Sequence, residues 1–208
     1  MIQAVPLSKQ NHRFSGQKWL GKRVGLLGGS FNPPHRGHLH ISKTALNTLC
    51  LDAVWWLVTP QNPHKDSNIL MPYETRFKAC QDIVRHPNIM VTNLEHEFQS
   101  ECTFETIIML QTYFPKTDFI WISGMDNAKN FHTWNNWRDI LAFIPTVHIA
   151  RPPASSLIQN FPLRMLRSQN HHMISTPEKV SLEPGNTYWV KQRKMLNISS
   201  TDIRKSMT

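Results

Sequence analysis

Ala53-Val54-Trp55-Trp56-Leu57-Val58 is apolar at every position. Successive side chains of a strand point to opposite faces, so a run with no polar side needs cover on both. A parallel sheet between two layers of helices supplies that cover, and the rest of the chain repeats the same units. Val24 to Leu27, Ile89 to Leu94, Asp118 to Ile122 and Thr146 to Ala150 read as further strands. Between them, apolar residues recur at helical spacing from Arg36 through Leu49, Tyr73 to Val84, Phe104 to Phe114 and Trp134 to Phe143. This alternation predicts an α/β fold with right-handed crossovers and helices on both faces of the sheet. Ligands of such sheets bind beyond the carboxyl ends of the strands.

The first strand leaves through Leu27-Gly28-Gly29-Ser30-Phe31-Asn32-Pro33-Pro34-His35-Arg36-Gly37-His38-Leu39. Gly28 and Gly29 permit backbone angles and close approaches that a side chain would forbid. The helix begins near His35, so its unpaired N–H groups and the positive end of its dipole face the loop, which suits an anionic group such as a phosphate. His35 and His38 lie on one face as further donors, and Gly37 between them leaves room for a ligand. A Walker loop is excluded because no Gly-x-x-x-x-Gly-Lys-Ser/Thr spacing occurs, and Gly25, Gly28 and Gly29 do not fit the dinucleotide fingerprint. His35, His38 and His40 do not share one helix face and have no Cys pair or His-Glu-x-x-His beside them, which argues against a metal site. The alternative to a phosphate site is a plain strand-loop-helix turn with incidental histidines.

The chain has 208 residues, enough for one domain with a substantial core. Residues 1–20 read as an N-terminal extension and 21–208 as a single domain. The extension carries Lys9, Arg13 and Lys18 but no apolar core, so it is not a secretory signal; a bland extension and a basic, acid-free presequence both fit it. No run of about 18 apolar residues occurs, and no membrane span is expected. Cys50, Cys80 and Cys102 are odd in number and far apart, which argues against a disulfide framework and for a reducing compartment, the cytoplasm. The net charge of +9 favours polyanionic partners, although Lys and Arg are spread from Lys9 to Lys205 rather than gathered in one tail. Residues 151–170, with Pro152, Pro153 and Pro162, read as a loop plus a short helix. Ser199 or Ser200 then caps a terminal helix with Asp202 in its first turn, a second helix start suited to an anion.

Gly28-Gly29-Ser30-Phe31-Asn32-Pro33-Pro34-His35-Arg36-Gly37-His38 resembles the signature of the nucleotidyltransferase superfamily with the His-x-Gly-His motif, and more closely that of bacterial nicotinate-nucleotide adenylyltransferases. Three further blocks support the narrower resemblance. Thr59-Pro60-Gln61-Asn62-Pro63-His64-Lys65 is similar to that family's loop after the second strand. Ser123-Gly124-Met125-Asp126-Asn127, followed by Phe131-His132-x-Trp134, resembles its Gly-x-Asp and Phe-His-x-Trp segments. Ile198-Ser199-Ser200-Thr201-Asp202-Ile203-Arg204 is similar to the superfamily's C-terminal Ile-Ser-Ser-Thr-x-Ile-Arg. The blocks follow the expected order from residue 24 to 204 and imply a Rossmann-like parallel sheet with a short C-terminal helical element.

The resemblance implies transfer of the adenylyl group of ATP to nicotinate mononucleotide, with pyrophosphate leaving, by a monomer or homo-oligomer. ATP would be held by Gly28, Gly29, Ser30, Phe31, His35, Gly37, His38, Gly124, Asp126, Ser199, Ser200, Thr201 and Arg204. The mononucleotide would be held by Asn32, Lys65, Thr103, Thr106, His132 and Trp134, with Trp134 beside the pyridine ring. His35, His38, Lys65 and Arg204 would carry the chemistry, and Mg²⁺ would bridge the phosphates of ATP. Without the resemblance, Lys65 is a solvated lysine, Asp126 a helix cap, Trp137 a core residue, and one of Trp55 and Trp56 core. Glu101-Cys102-Thr103-Phe104-Glu105-Thr106 stands where the family has Ser-Tyr-Thr-x-Asp-Thr near the pyridine carboxylate, so a cysteine replaces the tyrosine and a glutamate the aspartate. The alternatives are an adenylyltransferase of the same superfamily acting on nicotinamide mononucleotide or phosphopantetheine, and a basic nucleic-acid-binding module whose seven tryptophans stack bases. The tryptophans fall in strand and helix patterns, and no specific nucleic acid is expected as a partner.

Overall fold

The computed structural model describes residues 14, 16–60, 70–100, 102–150, 161–177, 179–191, 198 and 200–205. Its strands are β1 (Arg23–Gly29), β2 (Ala53–Val58), β3 (Ile89–Thr92), β4 (Asp118–Gly124), β5 (Thr146–Ile149), β6 (Asn170–Ile174) and β7 (Asn186–Val190). They form one sheet in the order β3-β2-β1-β4-β5-β7-β6, with every neighbouring pair parallel. The helices are α1 (Arg36–Thr48), α2 (Tyr73–Ile83), α3 (Leu94–Phe98), α4 (Thr103–Tyr113), α5 (Met125–Asn130), α6 (Trp137–Phe143), α7 (Pro162–Met165) and α8 (Ser200–Lys205), with a 3₁₀ turn over Phe131–Thr133. The Rossmann-like α/β architecture is the one the sequence predicts.

The apolar run of β2 has the double cover it requires. Trp55 and Trp56 are both fully buried, on opposite faces, where the sequence reading assigned one of them to the core. Trp55 meets the rings of Phe14, Trp19, Phe114 and Phe119 edge-on at 5.0 to 5.6 Å, beside Leu94, Leu110 and Ile140 of α3, α4 and α6. Trp56 lies on the other face with Ile41 and Ala45 of α1 and Cys80 of α2. Phe14 and Trp19, from the stretch read as an extension, are thus packed against the sheet.

Several boundaries differ from the sequence reading. β1 continues through Gly28 and Gly29, which pair in register with Leu57 and Val58. β3 stops at Thr92, and Leu94–Phe98 turns into α3. The expected helix from Trp134 begins only at Trp137, because Asn136 adopts the left-handed conformation at φ 56°. β6 and β7 were not foreseen. Edge strand β6 is largely exposed and reads Asn-His-His-Met-Ile, with no apolar alternation to reveal it.

From β1 the chain runs outward through β2 and β3 on one side and through β4, β5, β7 and β6 on the other. The order reverses between β1 and β4. Their carboxyl ends therefore flank the crevice in which open α/β sheets bind ligands.

Candidate active site

The junction after β1 is shaped first by what glycine leaves out. A Cβ on Gly28 would stand 2.4 Å from the Trp121 ring of β4, so the indole occupies the space a side chain would need. Phe31 follows in the left-handed region at φ 44°. Its ring is buried, stacked on Trp56 at 4.8 Å and tilted against His38 at the same distance. The Phe31 side chain is therefore core, and a nucleotide contact from this residue would come through its backbone.

His35 is the N-cap of α1, with an extended backbone, and its Nδ1 accepts the Gly37 N–H at 3.0 Å. The His35 N–H in turn donates to His38 Nδ1 at 3.1 Å, closing a reciprocal capping box. An imidazole that accepts at Nδ1 carries its hydrogen on Nε2, so the geometry fixes both histidines as Nε2–H donors. Their ring centroids are 3.9 Å apart. A Cβ on Gly37 would lie 2.8 Å from the His35 ring, so the room expected there for a ligand is taken by that imidazole.

The C-terminal motif docks on the same loop. Ser200 Oγ donates to the Pro33 carbonyl at 3.0 Å, and the Arg204 guanidinium donates to the Asn32 carbonyl and, at 3.3 Å, to Thr201 Oγ1. The Ile198 carbonyl would be 3.3 Å from a Gly37 Cβ. Asn32 is buried, and its Oδ1 accepts from the Met71 N–H at 3.1 Å, so its side chain holds the loop instead of facing outward. Ser199 and Lys65 lie outside the described residues.

At the end of β4, Gly124 is the N-cap of α5, and exposed Asp126 in its first turn has Oδ1 3.3 Å from the Gly124 Cβ position. Beneath it, Ser123 Oγ and His148 Nδ1 are hydrogen-bonded at 2.8 Å. His148 is wholly buried, which pushes its imidazole down to about 3, and nearby His171 pushes the same way. Half-buried Trp134 meets Trp121 edge-on at 5.8 Å and Phe131 at 5.0 Å. Trp121 thus joins the Trp134 shelf to the Gly28 turn. His132 sits in the 3₁₀ turn with a buried Nδ1 that has no hydrogen-bond partner among the described residues. Trp137 is half-buried, one face on the core and Arg138 4.5 Å from its ring.

The end of β2 is held by two buried charged residues. Arg76 of α2 is 0% exposed, and its guanidinium donates to the carbonyls of Met71 (2.8 Å), Ser30 (2.7 Å), Thr59 (2.8 Å) and Pro60 (2.8 Å). Glu95 of α3 is buried and hydrogen-bonded by the side chains of Thr59 and Thr106. Burial pushes its carboxyl up to about 7, against the opposing effect of those two bonds. Thr106 is fully buried and also bonds Ser100 Oγ at 2.8 Å and the Cys102 carbonyl at 3.2 Å, so its hydroxyl is turned into the protein and not toward a nucleotide. Thr103, the first residue of α4, is half-buried.

Residues 26–206 match the family described as cytidylyltransferase-like. A relative from Cereibacter sphaeroides, named "Probable nicotinate-nucleotide adenylyltransferase", is 38% identical over 185 residues, covering 87% of this chain and 95% of its own. The chain belongs to the nicotinate-nucleotide adenylyltransferase family. A Rhizobium meliloti protein of the same name is 42% identical over 140 residues, 67% of this chain and 74% of that one. Among solved structures, the Plasmodium falciparum nicotinic acid mononucleotide adenylyltransferase complexed with NaAD aligns with a TM-score of 0.68 at 18% identity, covering 90% of this chain and 84% of that chain. The two share a fold.

Within this site, the sequence reading missed Arg76 and Glu95. Nothing in the spacing of Tyr73-Glu74-Thr75-Arg76 distinguishes a buried arginine from a solvated one. The reading of seven tryptophans as a nucleic-acid stacking surface does not fit the fold, because Trp19, Trp55, Trp56, Trp121 and Trp189 are buried and only Trp134 and Trp137 are partly exposed. No helix among the described residues is long and apolar enough to cross a membrane, and the three cysteines are free thiols.

Proposed function

We propose that the chain transfers the adenylyl group of ATP to nicotinate mononucleotide, giving nicotinate adenine dinucleotide and pyrophosphate, a step of NAD biosynthesis. The observation that carries the reading is the capping box that fixes His35 and His38 as paired Nε2–H donors at the mouth of the β1–β4 crevice, in a chain of this family. A phosphate oxygen of the mononucleotide attacks the α-phosphorus in line, and pyrophosphate leaves from the opposite side. A phosphate dianion is already nucleophilic, so the protein's work is alignment and neutralisation of charge.

His35 and His38 would donate to the oxygens on which charge builds at the α-phosphoryl group. Ser199, Ser200, Thr201 and Arg204 would hold the β- and γ-phosphates, with Arg204 already placed beside the loop by its bond to Asn32. Trp134 would stack on the pyridine ring, and Lys65 would neutralise the mononucleotide phosphate. Bound with ATP, Mg²⁺ supplies further neutralisation of the phosphate oxygens. Asp126 would hold ribose hydroxyls or orient that ion. The three free thiols support a cytoplasmic setting.

The test is pyrophosphate release from Mg·ATP, with nicotinate and nicotinamide mononucleotides compared in parallel. Strong preference for the acid is expected. Comparable rates would keep the reaction and move the substrate to both pyridine forms, and no turnover with either would overturn the proposal.

A further inference from the structure

Thr59 is held from three sides at once. Its N–H donates to the Gly29 carbonyl at 3.0 Å, its carbonyl accepts from Arg76 Nη1, and its side chain bonds Glu95. The same Arg76 nitrogen reaches the Ser30 carbonyl, so one NH₂ group joins the loop after β1 to the loop that begins after β2. On the far side, the Glu95 carboxyl links Thr59 to Thr106, and Thr106 to Ser100, at the start of α4. A continuous chain of bonds, buried except at half-buried Thr59, therefore runs Ser30, Arg76, Thr59, Glu95, Thr106.

We infer that Arg76 and Glu95 are positioning residues that set the spacing between the ATP-side loop and the mononucleotide-side segments. The inference rests on the reaction proposed above, in which two substrates seated on different loops must meet in line. Burying a guanidinium is unfavourable unless its donors are satisfied. Arg76 makes all four of its bonds to carbonyls, at a point where three segments converge. A planar fork with fixed donor directions can hold those segments at set distances, which a flexible ammonium cannot. A displacement of about 1 Å between reacting groups is enough to lower a rate by roughly 10²-fold.

The experiment measures kcat and both KM values for the wild type, Arg76→Lys, Thr59→Val and Thr59→Ser, each normalised to the folded fraction by circular dichroism. Arg76→Lys keeps the charge and loses the fork. Thr59→Val keeps the carbonyl that Arg76 uses and deletes the hydroxyl that Glu95 uses, while Thr59→Ser restores it. We expect kcat at saturation to fall about tenfold or more in Arg76→Lys and Thr59→Val, and Thr59→Ser to recover most of it. A purely structural role would lower melting temperature and leave kcat per folded molecule unchanged. That result, in an active wild type, overturns the brace alone. An inactive wild type overturns the reaction and the brace with it. If Arg76→Lys does not fold, the two Thr59 variants decide.

Discussion

The junctions after β1 and after β4 face each other across one crevice and are built on different principles. The first is held by directed hydrogen bonds: the His35–His38 capping box, Asn32 to Met71, Ser200 and Arg204 to the loop carbonyls, and Arg76 to Ser30. The second is held mainly by packing, with Trp121 and Phe131 each against Trp134, and with Ser123 Oγ bonded beneath to His148 Nδ1 and to the Gly124 carbonyl. Charge developing on a phosphoryl group is stabilised only by donors at set distances and directions, so orientation matters at the first junction. A flat ring needs a surface of the right shape, which packing provides. The two sides should therefore fail differently when they are damaged.

The largest effect is expected where a donor is removed and its cap retained. His38→Asn keeps an acceptor near the Nδ1 position for the His35 N–H and deletes the Nε2 donor. It should lower kcat by at least ~10²-fold with little change in melting temperature. His38→Ala should lose the same rate and, in addition, about 1 kcal/mol of stability through the lost cap. If His38→Asn retained full kcat, His38 would be a cap and nothing more, and the contrast between the junctions would disappear. On the β4 side, Trp134→Ala should raise KM for the mononucleotide about tenfold while leaving kcat and KM for ATP nearly unchanged, the pattern of lost stacking. A fall in kcat with unaltered KM would show that this junction also places reacting atoms.

The same contrast explains what the sequence could reveal. The apolar faces of β2 and the strand-glycine-helix junction are local patterns, and both were legible. The family resemblance assigned the C-terminal Ser200–Arg204 segment to the same ATP as the first loop, but not its direct bonds to that loop's carbonyls. Buried polar bonds were not legible, because partners distant in sequence decide them. Glu95 reads as one acid among several until Thr59 and Thr106 enclose it. Gly37 illustrates the same limit: the glycine was visible, but that the His35 imidazole fills its space depends on the capping box.

The smallest effect tests the contrast through protons. Glu95, on the β2 side, has its carboxyl pushed up by burial from 4.5 to about 7. The folded chain keeps that proton over a range in which the unfolded chain has lost it. The resulting stability is whole below about pH 4.5 and is lost as pH rises through about 7. His148, on the β4 side, is pushed down from 6.5 to about 3, first by burial and then by His171. Its contribution is present above about pH 6.5 and is lost as pH falls toward 3. Between these limits the two halves of the sheet respond to pH with opposite signs and partly cancel, so the wild type should show a shallow profile. Melting temperatures recorded across this range separate them. Glu95→Gln should gain on the wild type by a few degrees as pH rises, whereas His148→Asn, which keeps a partner for Ser123, should gain as pH falls. Parallel profiles for all three proteins would mean that neither group titrates as its burial requires. A slope removed by only one substitution would assign the linkage to that side of the crevice alone.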